Sequence, residues 1–178
     1  MARTRPVFNG TPSTCFPCST GLGSAFDVEL AKEIGEALAG ECRHKGAHIL
    51  LAPTVNTQRS PLGGRGFESF SEDPHLNGTI AAAYIQGVQE HGVAATIKHY
   101  VGNDAEFERM SMDSQIGERA LREIYLKPFQ IALKTGKPWA LMTAYNRVNG
   151  VHVSEGKRLL QDVLMKVRLQ LLASASCL

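Results

Sequence analysis

Three short apolar runs, each separated from the next by a segment of helical periodicity, constrain this chain more than any other feature. AHILLAPTVN (47–56), VAATIKHYV (93–101) and PWALMTAYNRV (138–148) have the length of strands, and the first is a continuous apolar stretch of the kind buried on both faces. From Asp27 to about Lys45, the residues Val28, Leu30, Ala31, Ile34, Ala37, Leu38 and Cys42 recur at three- and four-residue spacing, with Asp27 placed as an N-cap. A second helix is predicted from about Leu76 to Glu90, stopped by His91-Gly92. A third runs from Glu118 to Thr135, with Leu121, Ile124, Tyr125, Phe129, Ile131 and Leu133 on its stripe and Gly136 ending it. A last helix begins near Ser154 and carries Leu159, Leu160, Val163 and Leu164, whereas residues 1–24 and 102–115 read as connections. The order α-β-α-β-α-β-α specifies an α/β fold of parallel βα units, closed either as an open doubly wound sheet or as a (β/α)8 barrel. Local pattern does not choose between them.

A chain of 178 residues with 43% hydrophobic content can bury one sizeable core. Its 19 basic and 17 acidic side chains are dispersed, and a net charge of +2 gives no field that points to nucleic acid or to an anionic membrane. A neutral or small polar ligand fits better. No apolar run approaches the roughly 18 residues of a membrane helix, and Met1–Gly10 has basic residues without an apolar core behind them. The expected location is therefore the cytoplasm, or outside the cell if the start codon is placed too late. Cys15 and Cys18 form a C-x-x-C, the pattern of a redox-active pair or of half a zinc site, but it lies in a Pro-containing loop with no second pair or His pair, so ordinary thiols in a reducing compartment are expected there, and Cys42 and Cys177 are isolated.

In both closures functional groups gather at the C-terminal ends of the strands. There stand Asn56, Arg59 and the loop GGRGFESFSEDP after the first run; Lys98, His99, Asn103 and Asp104 at the second; and Met142, Tyr145 and Asn146 at the third. A Lys followed directly by His at the end of a buried strand must meet polar partners, because both heads are costly to desolvate alone. Neighbours on a regular strand face opposite ways, so joint contact with one ligand requires a bulge, a bend or an unusual peptide bond. The alternative is a Lys paired with a carboxylate and a His capped by a backbone carbonyl. Arg65, flanked by glycines, aims a five-donor fork either into a site or at Glu68, Glu72 or Asp73. GLGS (21–24) and GGRG (63–66) are poor phosphate cradles, since neither joins a strand to an immediate helix.

GRGFESFSEDP (64–74), ATIKHYVGND (95–104), ERALREIYLKPF (118–129) and MTAYNRVNG (142–150) together resemble the N-terminal barrel of family 3 β-glucosidases over about Phe8 to Lys166. The resemblance implies a partial (β/α)8 TIM-type barrel over residues 1–166, truncated at both ends, with a divergent tail at 167–178. It implies that Arg65, Lys98, His99, Met142 and Tyr145 line the subsite for a non-reducing glucose, with a β-glucoside or oligosaccharide as substrate and no cofactor or metal. Where the N-acetylhexosaminidase branch carries a P-G-H-G-D loop, this chain has YVGNDAEFER, which favours the glucosidase branch and makes Asp104 a structural residue or a support behind the sugar-binding groups rather than a catalytic one. Two departures bear on activity. The family's upstream sugar-binding Asp lies in a D-G-P-x-G-[VI]-R stretch in whose middle Met1 falls, and after Lys166 the expected E-W-G-F-D-G and S-D-W, with the nucleophilic Asp, are replaced by VRLQLLASASCL. The acid/base carboxylate belongs to a later domain of the family. The expectation is thus a retaining β-glucosidase by family, with negligible turnover in this chain; the alternative is a non-catalytic carbohydrate-binding or regulatory fragment. Glucose titration followed by the fluorescence of Trp139 is one way to separate a sugar binder from an inert piece. Oligomeric state is left open.

Overall fold

The structure, a computed structural model, describes residues 12–166. The expected 167–178 tail, Cys177 and most of the N-terminal coil's first half lie outside the described residues. Along the chain come α1 (Ser19–Gly23), α2 (Val28–His44), β1 (Ile49–Leu50), α3 (Pro74–Glu90) and β2 (Ala94–Tyr100). A short β3 (Asp113–Ser114) follows, then a helical rod over 118–136, β4 (Ala140–Thr143), a hairpin of β5 (Arg147–Val148) and β6 (Val151–His152), and a last helix, Arg158–Met165.

The helix starts follow from side-chain caps. Asp27 accepts a hydrogen bond from the Leu30 N–H at 2.9 Å, and Asp73 accepts one from the Leu76 N–H at 2.6 Å with Pro74 in the first turn, where its missing N–H costs nothing. Inside the 118–136 rod, Pro128 has no N–H for the Ile124 carbonyl, and the turns on either side open. Leu126 N–H reaches Leu121 C=O at 2.8 Å and Lys137 N–H reaches Ala132 C=O at 3.0 Å, both five-residue closures. The rod stops at Lys137, which takes φ 50°, one residue past the predicted Gly136.

The main sheet has the order β1-β2-β4 and is parallel throughout, with Ile49 opposite Ala94 and Thr96 opposite Ala140. Pairing with β2 continues beyond β1, because Thr96 N–H bonds Ala52 C=O, Lys98 N–H bonds Pro53 C=O and Val55 N–H bonds Lys98 C=O. α3 packs on β2 and lies between α2 and the rod. Ile80, Ile85, Val88, Ala95, Ile97, Tyr100 and Phe129 are fully buried in the resulting core, where the Tyr100 and Phe129 rings meet edge to face at 5.2 Å. The last helix is tied to this core by Tyr100 Oη donating to Leu159 C=O at 2.9 Å.

Several expectations change. The first run is not buried on both faces: Ile49 and Leu51, two residues apart and so on one face of the sheet, are 57% and 55% exposed. The supposed N-terminal coil contains α1, and the supposed 102–115 connection contains β3, which joins β5 and β6 in a second, small sheet. The third run is two elements, since β4 ends at Thr143 and the chain then turns through Asn149 (φ 51°) and Gly150 (φ 90°) into an antiparallel hairpin. The last helix starts later than Ser154, after a 3-10 turn at Val153–Glu155.

Candidate functional site

The C-terminal end of β2 is where the regular ladder fails. Its register with β4 shifts between Ile97 and Tyr100, and the Lys98-His99 peptide is cis. Both side chains of the pair meet one cluster of polar groups: Lys98 Nζ lies 3.6 Å from Glu68 Oε2, and His99 Nε2 lies 3.3 Å from Arg65 Nη1. The parallel partner of Lys98 is Thr54, so the chain leaving β1 runs directly alongside and delivers Asn56 to His99.

Glu68 is the hub. It accepts from Arg65 Nε at 2.7 Å and from Arg65 Nη2 at 2.8 Å, a fork-to-fork pair, and from Thr54 Oγ1 at 3.2 Å. The Arg65 hydrogen bonds hold the Glu68 carboxyl below the usual range against the opposing effect of burial. Burial lowers the Lys98 pKa, with Glu68 working in the other direction. His99, 4% exposed, is pushed down to about 4 by burial and then by the neighbouring Arg65 and Lys98 charges, so it is neutral at ordinary pH. Glu106 closes the far side: its Oε1 accepts from Asn103 Nδ2 at 2.9 Å and lies 3.9 Å from Arg65 Nη1, while its Oε2 accepts from Arg109 at 2.8 Å. Asn103 Oδ1 is buried with no hydrogen-bond partner among the described residues.

Arg65, Lys98 and His99, expected from sequence, are therefore brought together. The carboxylate pairing weighed for Arg65 and Lys98 is also real, and one carboxylate, Glu68, serves both. Met142 sits on β4 between the registered pairs Leu141–Ile97 and Thr143–Tyr100, opposite the irregular Lys98-His99 stretch, and is half-buried. Tyr145 is 50% exposed, with the Arg109 guanidinium 5.3 Å from its ring centroid. Arg109 and Glu106 were not singled out from sequence. Their signal was weak, two charges inside a polar loop, and only folding turns that loop back onto Arg65. The Asp104 carboxylate accepts from the Thr57 N–H at 3.0 Å, and burial pushes its pKa up to about 6. Cys15 and Cys18 are exposed free thiols, and Cys42 is buried.

A small pocket opens over the cluster, lined by Thr54, Asn56, Arg65, Ser69, His99 and Asn103 among others. A larger hollow of about 360 Å³ lies between the rod and the last helix, lined by Tyr100, Leu126, Phe129 and Val163, away from the cluster. Hydrogen-bonding capacity rather than volume marks the first as the candidate site. Donors with fixed positions and a buried free acceptor suit a polyhydroxylated ligand.

Comparison with known proteins places the chain in a family. Residues 5–168 match the family described as glycosyl hydrolase family 3 N terminal domain. The chain is 56% identical over 165 residues to a protein named probable beta-glucosidase J from Emericella nidulans, covering 93% of this chain and 19% of that protein. A beta-glucosidase from Kluyveromyces marxianus, solved in complex with glucose, superposes with a TM-score of 0.88 at 52% identity, over 92% of this chain and 20% of that one. Beta-glucosidase 3B from Thermotoga neapolitana, also solved with glucose, gives a TM-score of 0.85 at 46% identity, over 93% of this chain and 23% of its own. The chain thus spans about a fifth of the length of the relatives it matches. The likeness to these barrels resolves the choice of closure in favour of part of a TIM-type barrel.

Proposed function

The chain belongs to glycosyl hydrolase family 3, within its N-terminal domain, and from that premise we propose that it supplies the glucose-gripping wall of a β-glucosidase site acting on terminal β-D-glucosyl residues. The observation that carries this reading is the cluster at the C-terminal strand ends in which Arg65 and Lys98 share the Glu68 carboxylate and His99 meets Arg65. Arg65 and Lys98 donate to sugar hydroxyl oxygens, His99 and Asn103 Oδ1 accept hydrogen bonds from sugar hydroxyls, and Tyr145 with Met142 borders the ring. Arg109, braced on Glu106 and stacked on Tyr145, extends the same wall.

Retaining hydrolysis requires one carboxylate to attack the anomeric carbon and a second to protonate the leaving oxygen, about 5 Å apart. The carboxylates in this cluster are engaged otherwise: Glu68 is shared between Arg65 and Lys98, and Glu106 holds Asn103 and Arg109. The role of the chain's residues is accordingly positioning and electrostatic. The hydroxyls are held by groups that Glu68 has already fixed, which limits the ordering cost of binding.

The test is calorimetric titration of the 178-residue chain with glucose, beside an aryl β-glucoside assay. Trp139 is unsuitable as a reporter, because it precedes β4 and so lies at the end of the sheet away from the cluster. Saturable glucose binding, weakened at least tenfold by Lys98→Ala, with negligible turnover is expected. Absence of glucose binding overturns the sugar-grip reading, and robust turnover overturns the positioning role.

A further inference from the structure

The chemistry of Asn56 decides something about His99 that the family resemblance leaves open. Asn56 makes three contacts with this one residue: its Nδ2 donates to the His99 carbonyl at 3.0 Å, and its Oδ1 lies 3.0 Å from the His99 N–H and 3.1 Å from His99 Nδ1. A backbone carbonyl can only accept and a backbone N–H can only donate, so the orientation of the Asn56 amide is set without ambiguity. Its oxygen therefore faces Nδ1, and Nδ1 must carry the proton. Both residues are buried, at 6% and 4% exposure, so water does not compete for these groups. Nε2 is left with a lone pair, and it points at Arg65 Nη1, a group that can only donate.

We propose that Asn56 is a positioning residue that fixes His99 as the Nδ1–H tautomer, so that His99 reads one sugar hydroxyl as a hydrogen-bond donor. This deepens the sugar-grip reading and rests on it. The 3.3 Å contact between Arg65 Nη1 and Nε2 is long, and a hydroxyl can satisfy both ends by accepting from the cation and donating to the ring. Lys98 and Arg65 accept any electronegative atom in place of that oxygen; the His99 lone pair does not. One hydroxyl of the glucose is thus checked for its proton as well as its oxygen, and a site left with an unpaired buried group rejects an analogue that cannot pair with it.

Two measurements test this. Long-range proton–nitrogen correlation spectra of the sugar-free chain, with His99 assigned by comparison with His99→Asn, should show the neutral Nδ1–H pattern, and Asn56→Ala should move His99 toward the Nε2–H form. Glucose and its deoxy and deoxyfluoro analogues should then differ at one ring position, where fluorine loses as much affinity as deletion, about tenfold. At hydroxyls read by Lys98 or Arg65 alone, the fluoro sugar binds better than the deoxy sugar. An Nε2–H pattern in the unsubstituted chain overturns the proposal even if Asn56→Ala fails to fold, as does a fluoro sugar that outbinds its deoxy partner at every position. If the tautomer is as stated and glucose does not bind, the sugar-grip reading fails and the Asn56 assignment stands.

Discussion

Asp104 and His99 stand five residues apart and respond to pH in opposite senses. Burial raises the Asp104 pKa to about 6, so its contribution to stability is present below its unfolded value near 4 and is lost as pH rises through 6. Burial and the adjacent cations lower His99 to about 4, so its contribution is present above the unfolded value of 6.5 and is lost as pH falls through 4. Between those limits the two slopes oppose. Asp104→Asn should remove one slope and expose the other, making stability fall more steeply from pH 6.5 to pH 4, by about 2 kcal/mol across the window. Urea midpoints measured along that range decide the matter; curves parallel to those of the unsubstituted chain would contradict it. The residue types of the site were legible in sequence because a Lys-His pair at a strand end demands partners. The identity of the partner was not: Glu68 stood among three candidate carboxylates, and only the turn at Gly66–Glu68 aims it back at Arg65.

The packing of α2 on α3 turns on two glycines. A Cβ at Gly35 would lie 2.4 Å from the Tyr84 carbonyl oxygen, and one at Gly87 would lie 2.1 Å from the Lys32 carbonyl oxygen. Each helix thus presses its backbone into a gap that only the other's missing side chain provides. Gly35→Ala or Gly87→Ala should destabilise the chain by about 2 kcal/mol through overpacking, whereas Gly40→Ala, on the same helix with open space around it, should stabilise by about 0.5–1 kcal/mol. Chemical denaturation of the three variants gives the sign directly, and equal effects at all three would sink this account of the contact. The helices were readable from caps and periodicity, and their observed starts agree with the predicted ones to within a few residues. The β5–β6 hairpin was missed although Asn149-Gly150 between two valines is a strong turn signal, because its apolar neighbours merged with the preceding strand into one run.

In the whole molecule the three-stranded sheet leaves the outer edges of β1 and β4 without strand partners among the described residues. Ile49, Leu51 and Trp139 are each more than half exposed nearby. Open parallel edges with apolar flanks promote association. The isolated 178-residue chain is expected to self-associate, and Ile49→Lys with Leu51→Lys should reduce this; sedimentation velocity showing a monomer at all concentrations would refute it. The order of the elements, the helix caps and the residue types at the strand ends were determined by the sequence itself, since propensity, periodicity and capping act over a few neighbouring residues. Tertiary structure decided the rest: that Glu68 serves Lys98 across 30 positions, that Asn56 sets the proton of His99 across 43, and that an apolar run became an exposed edge. Those outcomes depend on register and on which chain segments lie side by side, and no local pattern encodes either.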